Sequence, residues 1–143
     1  MHSKYDEIQE ILEDYKKQLM KPEDGLSVKV PARTEWPYQI VRAYNFINQY
    51  LFDSRMTVGW LREQCRVNGK SFAAKFEFCT GFGPKQYILQ HRIEASKQLL
   101  KHSEANITQI ALAVGFRSVS AFCNAFKNKE NTRPARWREL NQN

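Results

Sequence analysis

The chain has 143 residues, 42% hydrophobic and 26% charged, enough to bury the core of one domain or of a small domain with an extension, and too apolar to be broadly disordered. Its formal charge of +7 is uneven: residues 1–37 hold 6 Lys and Arg against 8 Asp and Glu, and residues 38–143 hold 16 against 7. The basic part suits a polyanionic partner. No apolar run is long enough to span a membrane and no signal peptide is evident. Cys65, Cys79 and Cys123 are widely spaced without a CxxC, which suggests a reducing cytoplasm. His2, His91 and His102 have no ligand spacing with them, so neither a zinc site nor a cofactor is expected.

Taken in chain order, residues 4–20 read as an amphipathic helix with Tyr5, Ile8, Leu12, Tyr15 and Leu19 at spacings of 3, 4, 3 and 4. That stripe either packs on the chain's own core, the favoured reading, or forms a self-association or protein-partner contact. Lys21 to Pro31, with Pro22 and Gly25, reads as a linker, so residues 1–37 form a helix and linker ahead of a domain at 38–143. A helix is expected from about Trp36 to Phe52, with Pro37 in its first turn and Ile40, Val41, Tyr44, Ile47 and Leu51 inward. Thr57 caps the next helix, Arg66-Val67 is a turn, and Asn68 is positioned to cap a following helix that buries Phe72 and Phe76. After Gly81-Phe82-Gly83, a helix from Pro84 to about His102, roughly 28 Å long, carries Tyr87, Ile88, Ile93, Leu99 and Leu100 inward. Asn106 or Thr108 starts the next helix, and Pro134 opens a last one ending near Leu140. No strand pattern competes, and the chain reads as all-α.

Residues 107–127 carry the strongest signal. Ile107, Ile110, Ala111 and Val114 form the inner face of one helix, and Gly115 supplies the positive φ of a sharp turn. Phe116, Phe122 and Phe126 fill the core behind a second helix, whose outer side presents Val119, Ser120, Cys123, Asn124 and Lys127. Such a unit, from about 107 to 129, can place its second helix in the major groove of DNA. A fainter copy lies at about 57–80. Val58, Leu61 and Val67 match Ile107, Ile110 and Phe116 at an offset of 49, and Phe72, Phe76, Pro84 and Tyr87 match Phe122, Phe126, Pro134 and Trp137 at 50. In the second unit Asn124 can pair bidentately with adenine, Val119 and Cys123 can touch thymine methyls, and Ser120 can bond a base or phosphate. The first unit offers Lys70, Ala73, Ala74 and Glu77 outward, a face poor in donors, so it is expected to position the protein through Lys70, Lys75 and helix-terminal N–H groups. Further phosphate candidates are Arg92, Arg117, Lys127, Lys129, Arg133, Arg136 and Arg138, with Arg92 alternatively buried in a structural ion pair.

The run Ile107-x-x-Ile110-Ala111-x-x-Val114-Gly115-Phe116-x-Ser118-x-Ser120-x-Phe122-x-x-x-Phe126-Lys127, followed by Pro134, resembles the signature of the AraC/XylS family of bacterial transcription regulators. Thr80-Gly81 with Pro84, Tyr87-Ile88, Arg92-Ile93 and Leu99-Leu100 resemble the family's linker helix and its start. The resemblance covers roughly residues 38–140. It implies seven helices, two helix-turn-helix units joined by the helix at 84–102, and binding of promoter DNA in successive major grooves, with RNA polymerase as a possible partner and the bacterial cytoplasm and nucleoid as location. It also implies base contacts at Lys70, Ala73, Ala74, Val119, Ser120, Cys123 and Asn124. The chain departs from the pattern at Arg62, where a small residue is usual, at Arg66, where Gly is common, at Ala73 and Ala74 in place of polar readers, and at Asn131 in place of a helix-ending Gly. Residues 1–37 are too few to form a ligand-sensing domain, so none is expected within them.

Two other classes of function are compatible with these residues: a low-specificity architectural DNA-binding protein, favoured by the Ala73-Ala74 face, and a protein-interaction module that has lost DNA binding. An enzyme is not expected, because no carboxylate pair, Ser/His/Asp set or phosphate-binding glycine loop stands in a suggestive frame, and neither Cys65 nor Cys79 has a base nearby in sequence.

Overall fold

The computed structural model describes residues 3–21 and 31–142. Those residues form eight α-helices and no strand, as the helical periodicity predicts. The first, α1 (Lys4–Met20), opens with a capping box in which the Ser3 hydroxyl accepts from the Asp6 N–H and the Asp6 carboxylate accepts from the Ser3 N–H. Ile8 and Leu12 are buried and Tyr15 and Leu19 are partly so, while Tyr5 stands in solvent. The apolar stripe of α1 is thus packed on the chain's own core. Most of the linker expected at Lys21 to Pro31 lies outside the described residues.

A single 3-10 turn, Arg33–Glu35, precedes α2 (Tyr38–Gln49), which is shorter than the Trp36–Phe52 helix read from the sequence. The ring of Pro37 holds Trp36 extended, with ψ 141°, so the helix begins beyond it. At the other end the chain leaves the helix and turns the carbonyls of Leu51 and Asp53 toward Arg92. The remaining helices are α3 (Val58–Cys65), α4 (Phe72–Thr80), α5 (Pro84–His102), α6 (Ile107–Ala113), α7 (Val119–Glu130) and α8 (Pro134–Asn141). Thr57 caps α3 as expected, and Asn106, in a capping box with Gln109, caps α6. Asn68 does not cap α4. Gly69, at φ +108°, carries the chain through a further turn, and Ser71 occupies the cap position without a side-chain bond.

The internal repeat is visible in backbone hydrogen bonds. After α3, Val67 N–H donates to Arg62 O at 3.0 Å and Arg66 N–H to Glu63 O at 3.4 Å. After α6, Phe116 N–H donates to Ala111 O at 3.0 Å and Gly115 N–H to Leu112 O at 3.1 Å. These are the same two bonds shifted by the sequence offset, and the first is the long bond of a Schellman-type helix end. Arg66 takes the left-handed conformation (φ +53°) where the second unit has Gly115 (φ +103°). The Arg62 guanidinium, standing where the second unit has Ala111, braces this first turn by donating to Gly69 O at 3.0 Å and lying 5.0 Å from the centre of the Phe72 ring.

Each unit has its own core. Ile40, Ile47, Leu61, Phe72, Phe76 and Tyr87 centre the first, and Ile93, Leu99, Ile110, Val114, Phe122 and Phe126 the second. Helix α5 feeds both, and Tyr15 and Phe52 touch both. Between the units lies Arg92, only 6% exposed. Its Nε donates to Leu51 O at 2.9 Å, its Nη2 to Asp53 O at 2.8 Å and Met56 O at 3.5 Å, and its guanidinium faces the Phe116 ring at 5.8 Å. It is therefore neither a phosphate contact nor half of an ion pair: backbone carbonyls satisfy it. A Cβ placed on Gly115 would stand 2.9 Å from three atoms of that guanidinium. Helix α1 is fastened across the same junction, with the Tyr15 hydroxyl 2.7 Å from His91 Nδ1 and Lys16 Nζ donating to Gln49 O at 3.3 Å.

Two predictions rest on this packing. Gly69 and Gly115 share nearly the same positive φ, but nothing lies within 4 Å of a Cβ on Gly69. Gly69→Ala should cost about 1 kcal/mol of backbone strain, and Gly115→Ala about 2 kcal/mol or more, because the pinned guanidinium cannot step aside. Urea denaturation of both variants reads the difference, and equal losses would show that Arg92 yields freely. The second concerns acid. Burial pushes the His91 imidazole down to about 4 from its ordinary 6.5. Between those values the unfolded chain binds a proton that the folded chain refuses, so stability is full above about pH 6.5 and falls on acidification, by about 3 kcal/mol across the window. In His91→Gln the gap between unfolding midpoints at about pH 7 and about pH 5 should shrink; an unchanged gap would place the acid sensitivity on another group.

Candidate nucleic-acid interface

The second unit presents α7 with its inner face anchored and its outer face free. Phe122 and Phe126 are fully buried, and their rings pack at 5.8 Å from each other and at 5.4 Å (Phe122 to Phe116) and 6.1 Å (Phe126 to Trp137) from their neighbours. Removing such a ring costs about 3–5 kcal/mol, so the rotation of α7 about its axis is fixed by its core side. The Ser118 hydroxyl accepts from Ala121 N–H at 3.1 Å and caps the helix start. At the other end, Glu130 is held by Lys97 of α5 at 3.2 Å, and Lys97 also pairs with Glu94 at 3.1 Å. Asn131 ends the helix at φ +60°, a conformation that Asn tolerates.

With that rotation fixed, Ser120, Asn124 and Lys127 are exposed, while Val119 and Cys123 lean half-buried against the second core. The structure adds two residues to the outer face that the sequence reading passed over, Ala121 and Asn128. Asn128 was legible from its place four residues after Asn124; Ala121 carries no polar signal. The amide of Asn124 makes no hydrogen bond with another described side chain or backbone group, which leaves its donor and acceptor edges available together.

On the first unit, Lys70, Ala73, Ala74, Lys75 and Glu77 are all exposed on and before α4. Phe78, also on α4, is 70% exposed and was read by no sequence pattern. With no side-chain cap from Ser71, the first-turn N–H groups of α4 have no side-chain acceptor at that position. The two outer faces differ chemically: α7 offers a hydroxyl, an amide and an ammonium, while α4 offers two methyl groups flanked by charges.

The basic residues divide. Lys127 and Arg133 are exposed and have no partner among the described side chains, and Arg136 is exposed with a weak surface pair to Glu139 at 3.1 Å. Arg117 is exposed and donates from Nε to Ser54 O at 3.3 Å, reaching the loop of the first unit. Lys129 Nζ donates to Gln90 Oε1 at 3.0 Å. Arg138 is used internally: it donates to the carbonyls of Leu100 at 2.9 Å and Ser103 at 3.1 Å, closing the C-terminal end of α5. Arg92 and Arg138 thus leave the set of phosphate candidates, because their donors already serve the fold. Cys65 and Cys79 are buried, and burial raises both thiols above their ordinary value. Among the described residues no group of His, Cys, Asp and Glu is arranged to hold a metal ion, and no helix is long and apolar enough to cross a membrane.

Residues 61–140 match the family described as a helix-turn-helix domain. The chain is 40% identical over 83 residues to the HTH-type transcriptional regulator AlkR of Acinetobacter baylyi, a match covering 58% of this chain and 27% of AlkR. The chain thus spans about a quarter of that relative's length. Its fold is similar to the C-terminal domain of AraT, a response regulator from Geobacillus stearothermophilus, with a TM-score of 0.71 and 22% identity over 76% of this chain and 90% of that one. It is also similar to the DNA-binding domain of AdpA, solved in complex with a target DNA, with a TM-score of 0.65 and 22% identity over 71% of this chain and 91% of that one. The repeated turn geometry, the seven helices from α2 to α8 and these matches agree, and the chain belongs to the AraC/XylS family of helix-turn-helix proteins.

Proposed function

We propose that the protein is a sequence-specific regulator of transcription that binds double-stranded promoter DNA, with α7 as its principal reading helix. The observation that carries this reading is the outer face of α7: Ser120, Asn124 and Lys127 stand exposed on a helix whose rotation is fixed by buried Phe122 and Phe126. An Asn amide so placed matches the N6/N7 edge of adenine, and Lys127, Arg117, Arg133 and Arg136 supply cations for the phosphates around it. Val119 and Cys123 then add apolar contact of the kind a thymine methyl accepts. AlkR is named as a transcriptional regulator, and AdpA's domain binds a target DNA with the same fold, which supports the reading.

The first unit acts differently. Lys70 and Lys75 hold phosphate, and Ala73 and Ala74 allow close approach to bases without demanding a particular one. With two helices joined by α5, the chain addresses two adjacent groove segments as a monomer, reading one strongly and one weakly. The poor face of α4 also favours a second reading, a low-specificity architectural role. RNA polymerase is a further partner under the first reading, and the nucleoid the site of action. Self-association through residues 4–20 has less support, since Ile8 and Leu12 are already buried within the chain.

Selection of genomic fragments at about 0.15 M salt, where exposed charges are screened, separates the readings. A short asymmetric site should be enriched. Asn124→Ala should weaken that site by about 1–3 kcal/mol and relax one base position. Binding without enrichment, or equal loss on every DNA, would make the protein an architectural one.

A further inference from the structure

A cavity lies apart from the outer face of α7. It measures about 240 Å³ and lies where the end of α1, the 3-10 turn, α2, the end of α4 and the start of α5 meet, behind the face that α4 turns outward. Trp36, Tyr44, Phe82 and Tyr87 give it aromatic walls. Trp36 meets Tyr44 edge-on at 5.0 Å, and Tyr87 lies 5.7 Å from Tyr44 and 6.4 Å from Phe82. Rings set at such angles line a slot suited to a flat apolar body.

The charge of the lining is one-sided. Arg33 and Lys21 border the cavity, and among the described residues no Asp or Glu does. Arg33 is fixed by Nη2, which donates to the Tyr44 hydroxyl at 2.7 Å and to Leu19 O at 3.4 Å, with its guanidinium 4.9 Å from the Tyr44 ring. Its Nε and Nη1 have no acceptor among the described residues, and no described carboxylate pairs with it. A planar fork held on one side and unengaged on the other is preorganised for a carboxylate. His91 completes the wall as a neutral imidazole whose Nδ1 is engaged by Tyr15.

We infer that this cavity is a binding site for a small planar aromatic carboxylate, its ring among Trp36, Tyr44 and Phe82 and its anionic group on Arg33 with Lys21 beside it. The occupant would bridge Gln18 and Leu19 of α1 to Cys79 and Thr80 at the end of α4, tying the N-terminal helix to the first unit. The inference does not depend on what the outer faces of α4 and α7 read.

The test uses the full chain with indole-3-acetate and benzoate as probes, and indole and benzyl alcohol as their uncharged counterparts. Trp36 Nε1–H, which donates to Pro31 O at 3.0 Å, serves as an NMR reporter distinct from those of Trp60 and Trp137. The acids should shift the Trp36 signal saturably in the millimolar range or below, leave the Trp137 signal in place, and bind about tenfold or more tighter than the neutral analogues. Arg33→Gln should erase that preference and Arg33→Lys should keep part of it. Because Arg33 also holds Tyr44, the unfolding midpoint is measured alongside, and Lys21→Gln, at an exposed position, supplies a variant that folds and should weaken the acids a few-fold. No saturable shift at Trp36, or equal affinity for acids and neutral analogues, would overturn the inference.

Discussion

The arrangement of the two units turns on one buried cation. Arg92 sits on α5 between the two cores, and its guanidinium is satisfied by the carbonyls of Leu51, Asp53 and Met56, from the first unit, while the Gly115-Phe116 turn of the second closes over it. Burial lowers its pKa to about 10, with Asp53 opposing, so the group stays charged at neutral pH. A buried charge left without acceptors is costly, and the carbonyls can reach it only if the loop after α2 keeps its shape. The loop, the turn and α5 are therefore mutually dependent. The absence of a side chain at Gly115 serves two ends at once, a positive φ and room for Arg92.

Around that point the protein uses one local design twice with different outcomes. Both units close their first helix with the same pair of backbone bonds, and both bury two phenylalanines one turn apart on the second helix. The first unit reaches this geometry with Arg66 in a left-handed conformation that glycine would adopt at lower cost, and with Arg62 folded over Phe72 onto Gly69 O. The second reaches it with Ala111 and Gly115. The scaffold is shared because it depends on the core side, and the chemistry differs because the outer sides have no such constraint.

Helix α1 adds a clamp that spans both cores. Ile8 and Leu12 enter the second, Leu19 reaches the first, and Tyr15 touches both while bonding His91. The relative placement of α4 and α7 thus depends on a contact outside the repeated units. The aromatic cavity lies at the first-unit end of this clamp, where any occupant would meet α1 and α4 together.

Much of this was legible in the sequence. Periodicity gave the helices, the offset of 49 to 50 gave the repeat, and Gly115 and Thr57 announced a turn and a cap, with Asn106 one of two starts offered for α6, because each depends on neighbours within a few residues. The family signature lies in the same local features. Other features were decided only by distant contacts. Arg92 and Arg138 look like any surface arginine until α2's loop and the end of α5 supply carbonyls from some 40 residues away. Asn68 lost its cap role to a turn at Gly69, and α2 stops at Gln49, with the carbonyls of Leu51 and Asp53 beyond it turned to Arg92. The sequence by itself determined the helical units and the chemistry of α7's outer face, since these follow from spacing along one helix. Which cations remain available, how α1 joins the two cores and where an aromatic cavity forms were decided by the tertiary structure, since each requires groups brought together from separate elements.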